Sequence, residues 1–194
     1  MGSPRKIARR AHVAVLALAF AGSFLGTQLG AEPQGEAAPA LRLTSPGFTD
    51  GQEIPTRHTC QGADVSPPLQ WSDPPKGTRS FAIVIDDPDA PDPRAPKAPW
   101  VHWVAYDIPG GVTSLEEGAA AHMPAGSRPG VNDWHAPGYR GPCPPVGRHR
   151  YFHTIYALDI VLPDLGQPTK AVLERAMHGH VLAQALLLGT YAKS

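Results

Sequence analysis

The sequence predicts a mostly β fold, a sandwich or barrel core with one short C-terminal helix. Three observations predict it. The apolar runs are short and strand-like, with β-branched and aromatic residues in most of them. The 23 prolines and 20 glycines are spread along the chain, as in a loop-rich fold rather than a disordered tract. Only one segment carries helix start and stop signals.

Residues 1–31 stand apart from that pattern. Arg5, Lys6, Arg9 and Arg10 precede an apolar run at 13–24, and small residues follow around Gly30 and Ala31. This is the three-part layout of a secretory signal peptide, so an exported, periplasmic or extracellular protein is expected. The run is short for a membrane span; an uncleaved anchor is the alternative. Residues 32–40 are Pro, Ala, Gly, Gln and Glu and read as a flexible linker. Residues 41–194 are then the folded domain, long enough for one core. Without the leader the chain has 13 basic and 17 acidic residues, a net charge of −4 that argues against nonspecific nucleic-acid binding. The two cysteines, Cys60 and Cys143, suggest a disulfide in an exported chain; two free thiols packed near each other are the alternative.

Along the domain, 41–43 is the first apolar run, and 69–71 the second, entered through Pro67-Pro68. Residues 81–85, Phe-Ala-Ile-Val-Ile, are continuously apolar, as in a strand buried on both faces. Simple alternation over 101–108 puts Val101, Trp103 and Ala105 on one side, and His102, Val104, Tyr106 and Ile108 on the other. Residues 151–162 form a third strong strand. Thr169 caps a helix after Pro168, Leu173 and Met177 stack at i, i+4, and Gly179 stops it. Residues 181–191 read as a final strand. Between the strands, 110–148 shows little periodicity; a loop that long in a compact domain is usually functional or disordered, and its aromatics and the Pro-stiffened "GPCPP" argue for an ordered loop.

Four pieces carry chemistry: "DDPDAP" at 86–91, "WVHW" at 100–103, "GPCPP" at 141–145 and "HRY" at 149–151. On a strand His149 and Tyr151 point to one face and can both donate to a single oxyanion. His102 would add a third donor, Asp87 would set the protonation of one His, and Gly141 and its neighbours would offer backbone N–H groups. Aromatic and Pro walls would suit an apolar substituent. The histidine spacing matches no zinc motif, and neither a metal nor a cofactor is expected. No G-x-S-x-G is present.

In this order, these pieces resemble the phosphatidylethanolamine-binding protein family, and within it the bacterial Raf-kinase-inhibitor-like branch. The resemblance extends over "HTCQGADVSPPLQW" (58–71), "IDDPDAP" (85–91) and "VHWVAYDIP" (101–109). It continues through "GVNDW" (130–134), "GYRGPCPPVGRHRYFHTIYALD" (138–159) and "GHVLAQALLLGTY" (179–191). It implies a β-sandwich of two antiparallel sheets with a small anion pocket at one end. The ligand-binding positions that it implies are Asp87, Asp89, His102, Gly141, Pro142, Cys143, His149 and Tyr151. The chain departs from the eukaryotic pattern at Cys143, where a Pro is usual and where pairing with Cys60 is implied, and in a reduced C-terminal helix. The function expected is noncatalytic binding of phosphate or a phospholipid headgroup. One alternative is regulation of an extracytoplasmic protein partner through the pocket-mouth loops. Another is hydrolysis by Asp87, His102 and His149.

Overall fold

The computed structural model describes residues 40–194. The expected signal peptide and nearly all of the linker lie outside them. Two antiparallel sheets face each other. The smaller contains β1 (Arg42–Thr44), β2 (Leu69–Ser72) and β5 (Ser114–Leu115), in the order β1-β2-β5. The larger contains β3 (Ser80–Asp87), β4 (Trp100–Pro109), β6 (Arg128–Pro129), β7 (Arg148–Leu158) and β8 (Val181–Ala192). Its order is β6-β4-β3-β7-β8, so the continuously apolar β3 is central.

That position explains the composition of β3. Phe81, Ile83 and Ile85 pack into the core between the sheets with Leu69, Trp71 and Ile155. Ala82 and Val84 pack on the other face, under Leu173 and Met177 of the helix α1 (Lys170–Met177). A strand covered on both faces has no solvent side to alternate toward. Helix α1 begins as its local chemistry dictates, with the Thr169 side chain accepting from the Val172 amide. Gly179, at φ 83°, turns the chain toward β8.

Two expectations are corrected. β4 does not alternate simply. Phe81 pairs with Ile108 but Ile83 with Ala105, and Ile85 with Trp103 but Asp86 with Val101. Each step leaves one extra residue in β4, a bulge that re-aims the side chains beyond it. Val101 therefore joins Val104 and Tyr106 in the helix-side core, while Ile108 joins Trp103 between the sheets. The strand expected at 151–162 runs instead from Arg148 to Leu158. Beyond it the Asp159 amide donates to His180 O, and the Leu162 amide to Asp107 Oδ1, so the chain leaves the ladder.

Candidate functional site

The three acids at the end of β3 part company. Asp86 pairs with Lys170 of α1 on the helix side of the sheet. Asp87 Oδ2 lies 2.7 Å from His149 Nδ1, and Asp87 Oδ1 accepts from the Asp89 amide at 2.8 Å. Asp89 accepts from Arg150 Nε at 2.9 Å and Nη2 at 2.7 Å, and from the Arg150 amide at 2.9 Å. Burial of polar groups is tolerated here because each carboxylate has a partner. The Arg150 guanidinium holds the Asp89 carboxyl below its ordinary pKa, whereas burial raises that of Asp87.

Asp87, His102, Cys143 and His149 line one cavity of about 500 Å³. Its remaining walls are Ala90, Pro91, Lys97, Ala98, Trp100, Trp134, Pro144 and Pro145. Trp100 and Trp134 meet edge to face at 5.4 Å, and Trp134 meets the His102 ring at 5.1 Å. The Arg140 guanidinium lies 5.1 Å from the Trp134 ring centre. Trp100 remains 39% exposed at the rim. The bulge at the start of β4 gives His102 its place: the ring leaves the strand's alternation and stacks edge-on against Tyr151 at 5.2 Å.

Hydrogen-bond partners fix the proton positions. His102 Nδ1 is 2.6 Å from the Arg140 carbonyl, which can only accept, so Nδ1 carries the proton. Burial lowers the His102 pKa to about 4, so the ring is neutral at pH 7 and Nε2 keeps a lone pair. His149 has acceptors on both sides, Asp87 Oδ2 and the Val146 carbonyl at 3.0 Å from Nε2. Nε2 therefore carries a proton, and Nδ1 and Oδ2 share a second, making a pair with no net charge. Tyr151 is fully buried, and among the described residues its hydroxyl makes no hydrogen bond of ordinary geometry, although it lies beside the Asp87 carboxylate. Burial, and then the Asp87 charge, push its pKa upward.

These positions revise the anticipated ligand set. His149 cannot donate to an oxyanion while both nitrogens serve Asp87 and Val146. Asp89 faces Arg150 and does not line the cavity. Gly141 and Pro142 lie behind the wall: the Gly141 amide donates to Asp64 Oδ1 at 2.6 Å, and the Pro142 carbonyl accepts from the Cys60 amide at 3.1 Å. A Cβ on Gly141 would stand 2.2 Å from the His58 carbonyl, so only glycine fits. Cys60 and Cys143 form a disulfide, so the alternative of two free thiols does not hold. Tyr139 donates to the His58 carbonyl at 2.6 Å and completes the stitching of residues 139–143 onto the segment at 56–64.

Lys97, Ala98 and Trp134 are wall residues outside the four chemical pieces. None of the three has a chemical signature of its own: Lys97 and Ala98 lie in the Pro-rich segment before β4, and Trp134 ends the "GVNDW" stretch of the family resemblance. Among the described residues, no group of His, Cys, Asp and Glu is arranged to hold a metal ion.

Residues 44–192 match the phosphatidylethanolamine-binding protein family. A UPF0098 protein of Methanothermobacter thermautotrophicus is 47% identical over 156 residues, covering 79% of this chain and 99% of the relative. A homologue from Chlamydia trachomatis, described by the same family name, superposes with a TM-score of 0.74 at 41% identity, covering 80% of this chain and 99% of that one. YbcL of E. coli superposes at 0.73 with 30% identity, covering 80% and 100%. A candidate lipoprotein of Mycobacterium tuberculosis, LppC, is 37% identical over 167 residues, covering 85% of this chain and 79% of the relative. With its two-sheet fold, its ordered motifs and these relatives, the chain belongs to the phosphatidylethanolamine-binding protein family, in the group that includes YbcL.

Proposed function

We propose that this protein is a noncatalytic binding protein whose cavity takes a small phosphorylated anion or a phospholipid headgroup carrying an apolar substituent. The observation that carries this reading is the division of the cavity into apolar walls and a few polar groups. Trp100, Trp134, Pro91, Pro144 and Pro145 form an apolar slot, with Lys97 in its wall and Arg140 over Trp134. Among the described residues neither cation has a carboxylate partner, so both are available to an anion at the mouth. Inside, His102 Nε2 remains to meet a donor of the ligand, while the Tyr151 hydroxyl, fully buried beside Asp87, is not part of the cavity wall.

Hydrolysis by Asp87, His102 and His149 is less well supported. The Asp87–His149 pair is closed on itself and on Val146. In the disulfide, Cys143 has no thiolate to attack with. Export draws support from that same disulfide, which persists in an oxidising compartment, and from the lipoprotein name of LppC.

The test is a titration of the protein with phosphate, phosphorylethanolamine and lipid vesicles, followed through the ring resonances of His102. Saturable shifts with a phosphorylated ligand, weakened about fivefold to tenfold by Lys97→Ala, are expected. An unmoved His102 ring with every ligand would sink the anion reading and give first place to a protein partner at the cavity mouth.

A further inference from the structure

The two ends of the disulfide face different surroundings. Cys143 lines the cavity beside Pro144 and Pro145. Its partner Cys60 belongs to the segment at 56–64 and is not a wall residue. Both residues are exposed. A disulfide is broken when a thiolate attacks one of its sulfurs, and access to that sulfur governs the rate. A thiol held in a cavity of about 500 Å³ with Cys143 in its wall meets Cys143 before Cys60.

The cavity also selects the thiol by charge. Lys97 stands in its wall and Arg140 lies over Trp134, and among the described residues neither has a carboxylate partner. These cations draw in a thiol that carries its own anionic group. They also favour its thiolate over its thiol, and the thiolate is the nucleophile. Pro142 and Pro144 flank Cys143 and restrict its backbone, so the target sulfur is held in place. Three hydrogen bonds stitch this segment to the one that bears Cys60, and none of them needs the disulfide. They run from the Gly141 amide to Asp64 Oδ1, from the Cys60 amide to the Pro142 carbonyl and from the Tyr139 hydroxyl to the His58 carbonyl.

We propose that Cys143 is a site of reversible thiolation, at which an anionic low-molecular-weight thiol enters the cavity and is captured as a mixed disulfide. The entering thiolate attacks Cys143 Sγ, and a new S–S bond forms between them. The Cys60–Cys143 bond breaks, and its electron pair leaves on Cys60 Sγ, which takes a proton from water. The thiol is thereby oxidised to the disulfide level and Cys60 is reduced, so no outside oxidant enters the balance. The hydrogen-bonded stitching keeps Cys60 beside the adduct. When free thiol is withdrawn, the Cys60 thiolate attacks Cys143 Sγ, restores the native bond and expels the thiol. While the adduct stands, it fills the cavity and excludes any other ligand. The step needs the cavity and its cations but not the phosphorylated ligand proposed above, so the two readings fail independently.

The experiment exposes the full chain to 2-mercaptoethanesulfonate, an anionic thiol, or to 2-mercaptoethylamine, a cationic one. Iodoacetamide then caps the freed cysteine, and peptide mass spectrometry locates adduct and cap. In the folded protein the sulfonate adduct is expected on Cys143 and the cap on Cys60, with a preference of about tenfold that disappears in urea. Ala98→Trp narrows the cavity at an exposed wall position, so the fold is kept, as circular dichroism checks. It is expected to slow the sulfonate reaction about tenfold. Lys97→Glu is expected to lower the rate with the anionic thiol relative to the cationic one about fivefold. Equal adducts on the two cysteines of the folded protein, a rate indifferent to Ala98→Trp, or a rate ratio indifferent to Lys97→Glu would overturn the proposal.

Discussion

Among the described residues the Tyr151 hydroxyl is buried without a well-aligned partner, beside an Asp87 whose two oxygens are already engaged. An unsatisfied buried hydroxyl costs stability, about 1–3 kcal/mol. Tyr151→Phe should then leave the unfolding free energy unchanged or raise it by about 1 kcal/mol, while changing phosphorylethanolamine binding by no more than about twofold, because the hydroxyl is not part of the cavity wall. Urea melts and a ligand titration read the two effects separately. A variant destabilised by about 2 kcal/mol would show that the hydroxyl is bonded within the fold.

The buried histidines act in a different way. Burial lowers both His102 and His153 from 6.5 to about 4. Between those values the unfolded chain binds protons that the fold refuses, so stability rises with pH there. Their contribution is complete above pH 6.5 and is lost as the pH falls toward 4. By pH 5 the loss is roughly 2 kcal/mol for each histidine. The Asp89 contribution, from a lowered carboxyl, is lost only at more acid pH, and the raised Asp87 partly offsets the histidine effect. Urea midpoints at pH 7 and pH 5 measure the drop, which His153→Leu should roughly halve. Equal stability at the two pH values would mean that these rings are charged in the fold.

At the scale of elements, legibility followed locality. Helix α1 was readable from Thr169 and the Leu173–Met177 spacing because cap and stripe lie within a few residues. The bodies of β3 and β8 were readable from their apolar runs. The bulges of β4 were not, because a bulge is a relation between Phe81–Asp86 and Trp100–Ile108, and alternation within one strand cannot reveal it. The segment at 139–145 shows the same limit. Its motif marked it as part of the site, but the Gly141 amide is spent on Asp64, 77 residues away, rather than on a ligand. Gly141 thus serves as a contact point between two segments. Gly141→Ala would drive a Cβ against the His58 carbonyl and Asp64 Oδ1, at 2.2 and 2.7 Å. Backbone must move to relieve it, so a loss of about 2–3 kcal/mol is expected, together with weakened ligand binding. A thermal melt of this variant at the wild-type temperature would show that the 139–143 segment is free to shift.

Across the whole molecule, the cavity is assembled from the end of β3, the 88–99 segment that follows it, the start of β4, the 134–146 loop and the start of β7. The sequence motifs named most of these segments. They did not show that Asp89 turns away to Arg150 or that Lys97 and Trp134 turn in, because strand pairing over long separations decides which side chain faces inward. The Cys60–Cys143 disulfide is the covalent form of that long-range order. It joins residues separated by 83 positions and fastens the cavity wall to the segment after β1. Closing so long a loop constrains the unfolded chain by roughly 4 kcal/mol. Both cysteines are solvent-exposed, so a small reductant can reach the bond. Reduction should lower the melting temperature by about 10 °C, and the double variant Cys60→Ser, Cys143→Ser should melt with the reduced wild type. Ligand affinity should fall in both, because Cys143 is part of the wall. If reduction left both melting and binding unchanged, the wall would be held by its hydrogen bonds alone, Gly141 to Asp64, Cys60 to Pro142 and Tyr139 to His58. If the double variant lost binding but the reduced protein did not, the serine side chains rather than the missing bond would be responsible.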